Sequence, residues 1–375
     1  MSLAISGMGW VTPLGSGLSQ VWERLLNGEE AVADSISDPI GQKSYPVIRV
    51  PATAWQDLPV HPRLRRAGAI SRFAAGAGLA ALQEAGLRID ATNAPRLALI
   101  FAISNGGVVY TKRFYHDIVV SGANAASPLL FPETVFNAPA SHLAAILGIA
   151  GSCYTLVGDG AVGLLAIRMA EDLMLNESFD HCLVVGAEET DWLLCDAYAK
   201  WRLVRAQPPI EPFHTPAKGM ILSEGAGALL ISRSGPVKID RSHAGAFYSR
   251  REQLAATLKK LLRDLEAPIA ANVIGSANGT FIDSAEAAAV SQVLPEALFY
   301  TPKPALGESV GASGLWQTII AATALRTGRL PPLLHAGRDA ASPLRASSGD
   351  KSANKSAIVL SCGLNQQIAG LRLSV

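Results

Sequence analysis

Gly151-Ser152-Cys153-Tyr154-Thr155-Leu156-Val157-Gly158-Asp159-Gly160 decides how this chain is read. A largely apolar run leads into a Gly-Asp-Gly turn, and helical apolar spacing begins at Ala161. The order predicts a buried strand, a sharp turn and a helix from Ala161 to Met174. Such a turn lifts one side chain to the top of a strand–turn–helix elbow, where enzymes place a nucleophile. The residue at the elbow is Gly160, which has no side chain to lift.

Outward from the elbow, strands and helices keep alternating. Leu3 to Ile5 reads as a short strand ending in a Gly-rich loop, Gly7 to Gly15, with a helix around Gln20 to Leu26. Arg66 to Ala85 has helical spacing and stops at Gly86. Leu97 to Ser104, Cys182 to Gly186 and Gly225 to Ser232 read as buried strands. The later part repeats the theme. A helix over Gln253 to Leu265 precedes a strand over Ile269 to Ile274. Helices near Ala285 and over Gly314 to Arg326 lead to closing strands at Ser356 to Ser361 and Ile368 to Val375. Ala336 to Lys355 reads as a surface loop. Two halves, 1–235 and 236–375, therefore look like a diverged duplication.

Composition narrows the function classes. The 375 residues are 49% hydrophobic and 17% charged, which fits a multilayered α/β protein with much buried surface. A net charge of +1 gives no argument for nucleic acid or an anionic membrane. No run of about 18 apolar residues predicts a membrane span, and the N-terminus lacks the basic and apolar regions of a leader. The four cysteines, Cys153, Cys182, Cys195 and Cys362, form no metal or redox spacing. They read as buried thiols of a cytoplasmic protein, and no metal or cofactor is expected.

Together the landmarks resemble the β-ketoacyl synthase family of thiolase-like enzymes over nearly the whole length. They are Gly7-Met8-Gly9 through Thr12-Pro13-Leu14-Gly15, Leu147 to Gly151 with the elbow, Gly186-Ala187-Glu188, Ser223 to Gly227, and Gly307 to Gly314. Any one is weak; five in order are strong. The resemblance implies two fused βαβαβ-type halves in α-β-α-β-α layers. Active members of the family use a cysteine and two histidines, and the matching positions here are Gly160, Asn278 and Glu308. All seven histidines lie outside those motifs. Condensation needs a thiolate and donors aimed at a developing enolate oxygen. A glycine cannot be acylated, and an ionised Glu308 repels that oxygen.

The scaffold around those positions survives. Lys303 matches the family's lysine, and Asp283 and Glu286 resemble its acidic pair, so a Lys303–Glu286 ion pair is expected. Glu308 is either a solvated loop carboxylate or itself paired with Lys303. Gly363-Leu364-Asn365-Gln366 stands where the family has a Gly-Phe-Gly-Gly turn that supplies an oxyanion N–H. Without the last two glycines a different backbone is expected there.

The resemblance also implies a role. Chain-length factors, the β subunits of type II polyketide and aryl polyene systems, lack the nucleophile and pair with an active ketosynthase as a heterodimer. Pro128 to His142 looks closer to the aryl polyene type. Leu129, Leu130, Phe131 and Phe136 are then either core or tunnel-lining residues, and Cys153 and Tyr154 belong to a buried strand at the subunit interface. Cys153, seven residues before Gly160, is not a displaced nucleophile. His142 reads as structural or interfacial. Arg63, Arg65, Arg66 and Arg72 form either a solvated helix face or a transient docking surface for an acyl carrier protein. Two rival readings stay open: an acyltransferase or hydrolase with a new site at Asp159 or Glu308, and a pseudoenzyme that only stabilises its partner.

Overall fold

A computed structural model describes residues 3–175, 178–337, 344–349, 351–352 and 354–375. Its main sheet runs through eleven strands: β1 (Leu3–Thr12), β2 (Leu97–Ile103), β3 (Cys153–Val157), β4 (His181–Glu188), β5 (Gly225–Ser232), β6 (Val237–Ser242), β7 (Asn272–Ile274), β8 (Leu298–Tyr300), β9 (Arg345–Ala346), β10 (Ser356–Cys362) and β11 (Gln367–Ser374). Their order across the sheet is β9-β8-β7-β10-β11-β6-β1-β5-β4-β2-β3. Outward from the β6–β1 junction, both halves follow one plan. Leaving aside the two-residue β9 at the far end, the first strand of each half is flanked by its fifth, then fourth, second and third. This repeat is the duplication expected from the sequence.

The layers follow from where the apolar faces point. Helices α1 (Ala69–Glu84), α2 (Val108–Ser121), α3 (Ala138–Leu147), α4 (Val162–Met174) and α5 (Trp192–Lys200) belong to the first half. Helices α6 (Leu254–Asp264), α7 (Ile282–Val293) and α8 (Val310–Thr327) belong to the second. One core joins α1 and α3 to the outer face of the first half-sheet, and another joins α6 and α7 to that of the second. The largest lies between the half-sheets and contains α4 and α8. The result is the α-β-α-β-α arrangement. In α8 every residue from Val310 to Leu325 is buried, as expected of a helix sandwiched on all sides. The two central helices meet at glycines: a methyl on Gly163 would lie 3.3 Å from the Gly314 Cα.

Several element boundaries differ from the sequence expectation. The Gly-rich segment after Ile5 is not a loop; β1 continues through it to Thr12. A methyl on Gly7 or Gly9 would fall 2.1 or 2.2 Å from the carbonyl oxygen of Ala81 or Ala77. Those glycines let α1 lie directly on the strand. Arg63 and Arg65 sit on a 3-10 turn, Pro62–Arg65, ahead of α1, and Arg72 lies over the Trp55 ring. The strand expected over Ile269 to Ile274 is the shorter β7, and helices α7 and α8 start earlier, at Ile282 and Val310. The 336–355 segment is partly outside the described residues; β9 lies within it and pairs in parallel with β8. Helices α2 and α5 had no counterpart in the sequence reading.

The elbow strand brings the largest change. β3 pairs with β2 alone on the main path and forms the end of the sheet. It is not buried: Cys153, Tyr154 and Val157 are exposed.

Candidate functional site

Four loops converge where strands of both half-sheets end and the central helices begin. The elbow after β3 brings Asp159 and Gly160, and the turn after β7 brings Asn278. The segment before α8 brings Lys303 and Glu308, and the turn after β10 brings Gly363 to Gln366. The fold therefore unites all three positions that the sequence marked as lacking catalytic side chains.

Gly160 is buried, and its φ is not in the left-handed region, so the backbone does not require a glycine there. A methyl added to it would lie 3.1 Å from the Cys362 carbonyl oxygen. Its own carbonyl accepts the Ser361 hydroxyl.

The two histidine positions are tied to each other. Lys303 Nζ donates to Glu308 Oε1 at 2.6 Å, and Ser313 Oγ donates to the same oxygen at 2.9 Å. Asn278 Nδ2 donates to Glu308 Oε2 at 2.9 Å, while Thr280 Oγ1 donates to Asn278 Oδ1 at 2.7 Å. Lys303, Glu308 and Asn278 are only 2%, 5% and 1% exposed. A buried charge pair of this kind persists only when hydrogen bonds satisfy its remaining lone pairs. Ser313 and Asn278 do that here. Ser313 brings its hydroxyl from the first turn of α8.

The expected Lys303–Glu286 pair is not formed, because Glu286 has other partners. Its carboxylate accepts the backbone N–H groups of Ser276 and Ala277 at 2.9 and 2.8 Å. Asp283 likewise accepts those of Phe213, Asn278 and Gly279. The acidic pair thus moulds the loop that carries Asn278. Burial raises Glu286 to about 8 and Asp283 to about 6.

Asp159 fills the remaining space. Its Oδ2 accepts the Asn365 N–H at 2.7 Å. A methyl on Gly363 would lie only 2.0 Å from Asp159 Oδ1, so a side chain there would displace the Asp159 carboxylate. Gln366 takes φ +73, a glycine-like conformation in a residue with a side chain. Burial raises the Asp159 pKa, and the charge of Glu308 adds to the shift. Outside this turn lies a cavity of about 720 Å³ lined by Tyr198, Trp201, Arg251, Phe281, Leu364 and Asn365 among others. Gly160, Asn278, Lys303 and Glu308 do not line it.

The thiol in this constellation, Cys362, is buried and its pKa is raised by that burial, and Lys303 and Asn278 both donate to Glu308. An oxyanion forming here would meet two carboxylates, Asp159 and Glu308. Sequence reasoning missed Ser313, Thr280 and the Asp159–Asn365 bond. It left the Lys303–Glu308 pair as one of two alternatives. Among the described residues, no group of three His, Cys, Asp or Glu is placed to hold a metal ion.

The other predicted residues lie elsewhere. Leu129, Phe131 and Phe136 are 63%, 56% and 45% exposed, and Tyr154 is 40% exposed. Leu130 is half-buried. They are surface residues, not core. Cys153 is a free thiol whose pKa is raised by partial burial, which argues against a reactive thiolate. Among the described residues no helix is long and apolar enough to cross a membrane.

Comparison with known proteins adds the family. The β-ketoacyl synthase N-terminal domain model matches residues 2–235, and the C-terminal domain model matches residues 235–337. The chain is 24% identical to 3-oxoacyl-[acyl-carrier-protein] synthase 2 of Coxiella burnetii, over 89% of this chain and 88% of that protein. It is 25% identical to Nodulation protein E of Rhizobium leguminosarum bv. trifolii, over 61% of this chain and 57% of that protein. Among solved structures, "The ishigamide ketosynthase/chain length factor" superposes with a TM-score of 0.87 at 19% identity, covering 100% of this chain and 99% of that one. The "Ketosynthase (ApeO) in Complex with its Chain Length Factor (ApeC) from Xenorhabdus doucetiae" gives 0.84 at 19% identity, covering 100% and 98%. With its duplicated sheet and both domain models matched in succession, this chain belongs to the β-ketoacyl synthase family.

Proposed function

We propose that this chain is a non-catalytic β subunit, a chain-length factor, that pairs with an active ketosynthase in a cytoplasmic heterodimer. One observation carries the reading: the buried Lys303–Glu308–Asn278 cluster occupies both histidine positions beside a glycine at the nucleophile position. The site is not merely missing groups; its remaining polar atoms satisfy one another. Similarity to ketosynthase and chain-length-factor structures supports the reading. The partner supplies the cysteine and both histidines, and an acyl carrier protein delivers the chain transiently. This subunit contributes a tunnel wall through Leu129, Leu130, Phe131 and Phe136, with Cys153 and Tyr154 at the contact. The product class we favour is an aryl polyene.

The test is co-expression with a catalytic ketosynthase that carries the cysteine and both histidines, followed by native mass determination and assay of condensation. A one-to-one heterodimer whose activity depends on the partner's cysteine is the expected result. A self-contained homodimer that turns over acyl-thioesters, with activity lost on changing Asp159 or Glu308, favours a new-site enzyme instead. A heterodimer whose products ignore changes along Leu129 to Phe136 leaves only a stabilising role.

A further inference from the structure

The face proposed for the partner is shaped by a segment without a core of its own. Phe131–Thr134 forms a 3-10 turn in which no residue is buried. Such a segment holds one shape only if outside contacts impose it. Two come from the backbone beneath. A methyl on Gly107 would lie 2.7 Å from the Glu133 carbonyl oxygen, and one on Gly106 3.0 Å from the Phe136 ring. The Phe131 ring also tilts against Phe114, with centroids 5.8 Å apart.

The remaining tie is polar and spans two elements. His142 Nε2 lies 2.7 Å from Glu133 Oε1, and the two side chains are only 18% and 11% exposed. His142 stands on α3, which packs against both the 3-10 turn and β3. Its Nδ1 is buried without a partner. Nε2 is thus the ring's one bonded nitrogen, and its partner is the Glu133 carboxylate. The bond thus fastens the apolar ridge to the helix that also supports the free edge of the sheet.

We infer that Glu133 and His142 are a positioning pair that holds the Leu129–Phe136 ridge in the shape the ketosynthase subunit receives. The inference rests on the heterodimer reading. Without the pair, the ridge must be ordered during association, and preorganisation is lost. The experiment measures the dissociation constant of the heterodimer for Glu133→Ala, His142→Ala, the double variant and His142→Gln. Each alanine variant is expected to weaken association about tenfold. The double variant is expected to be no weaker than either single one, and His142→Gln, whose amide N–H reaches the same place, to stay within about threefold of the unaltered chain. Unchanged affinity in both alanine variants, or losses that simply add, overturns the inference. If His142→Ala fails to fold, Glu133→Ala, on a turn with no buried residue, decides alone: unchanged affinity overturns the inference and a tenfold loss supports it. Failure of the unaltered chain to bind any ketosynthase is a different outcome: it sinks the heterodimer reading, and this inference with it.

Discussion

The buried site and the exposed ridge treat their chemical groups in opposite ways. At the site, polar groups turn inward: Lys303 and Asn278 spend their donors on Glu308, and Asp159 takes the Asn365 N–H. On the ridge, Leu129, Phe131 and Phe136 turn outward, and on the edge strand Tyr154 and Val157 are exposed as well. At the centre the polar groups satisfy one another, while the ridge leaves its apolar groups to solvent. On the β-subunit reading proposed above, chemistry and assembly are lost and kept separately on one scaffold.

The sharpest way to break this contrast is at Lys303. Lys303→Met leaves Glu308 buried beside an uncompensated gap and should cost about 3–5 kcal/mol in urea unfolding. Lys303→Met combined with Glu308→Leu should recover most of that loss. If the single change costs less than about 1 kcal/mol, the cluster is not the closed centre described here. The ridge should behave in reverse. Leu129→Asp should leave unfolding within about 0.5 kcal/mol of the unaltered chain. It should weaken the heterodimer about 100-fold, or ~2.7 kcal/mol.

A smaller effect separates the acidic pair from the ion pair. Glu286 holds its proton up to about 8 in the fold, against an ordinary 4.5. A raised carboxyl contributes stability that is fully present below the unfolded value and is lost as pH rises through the folded one. Stability should therefore decline between about pH 4.5 and 8, and Glu286→Gln should flatten the decline by something on the order of 2 kcal/mol. Unfolding midpoints at pH 5, 7 and 8.5 read the slope, and equal slopes in both proteins would refute the assignment. The smallest effect belongs to Gly160→Ala. Its backbone accepts a side chain, and one carbonyl must give way by a few tenths of an ångström, so the cost should stay below about 1 kcal/mol.

Much of the fold was legible where strands are fully buried and helices have clear apolar periods, as in Leu97–Ile103 and Leu254–Asp264. Gly160, Asn278 and Glu308 could be singled out because they are residue identities at landmark positions, and the fold joins Asn278 to Glu308. What escaped has physical reasons. α2 buries only Val108, so it carries no inward stripe to read. β3 has the composition of a core strand, yet its apolar side chains lie at an edge, and sequence cannot tell a partner's surface from a core. Gly7 and Gly9 mimic a loop because the need for glycine comes from a helix some 70 residues away. The Asp159–Asn365 bond spans 206 residues, and only the fold brings those groups together. Glu286 was assigned to Lys303 through the resemblance to the family's acidic pair, while nearby backbone N–H groups claim it.

The two ends of the main sheet are unlike. At one end the five-residue β3 presents an open row of backbone groups between apolar side chains; at the other, β9 is two residues long. A short terminal strand offers little template for further pairing. Among the described residues, edge-to-edge addition to the main sheet therefore finds its longer template at β3. A union made there uses up that edge and leaves the main sheet only a two-residue strand at its far end.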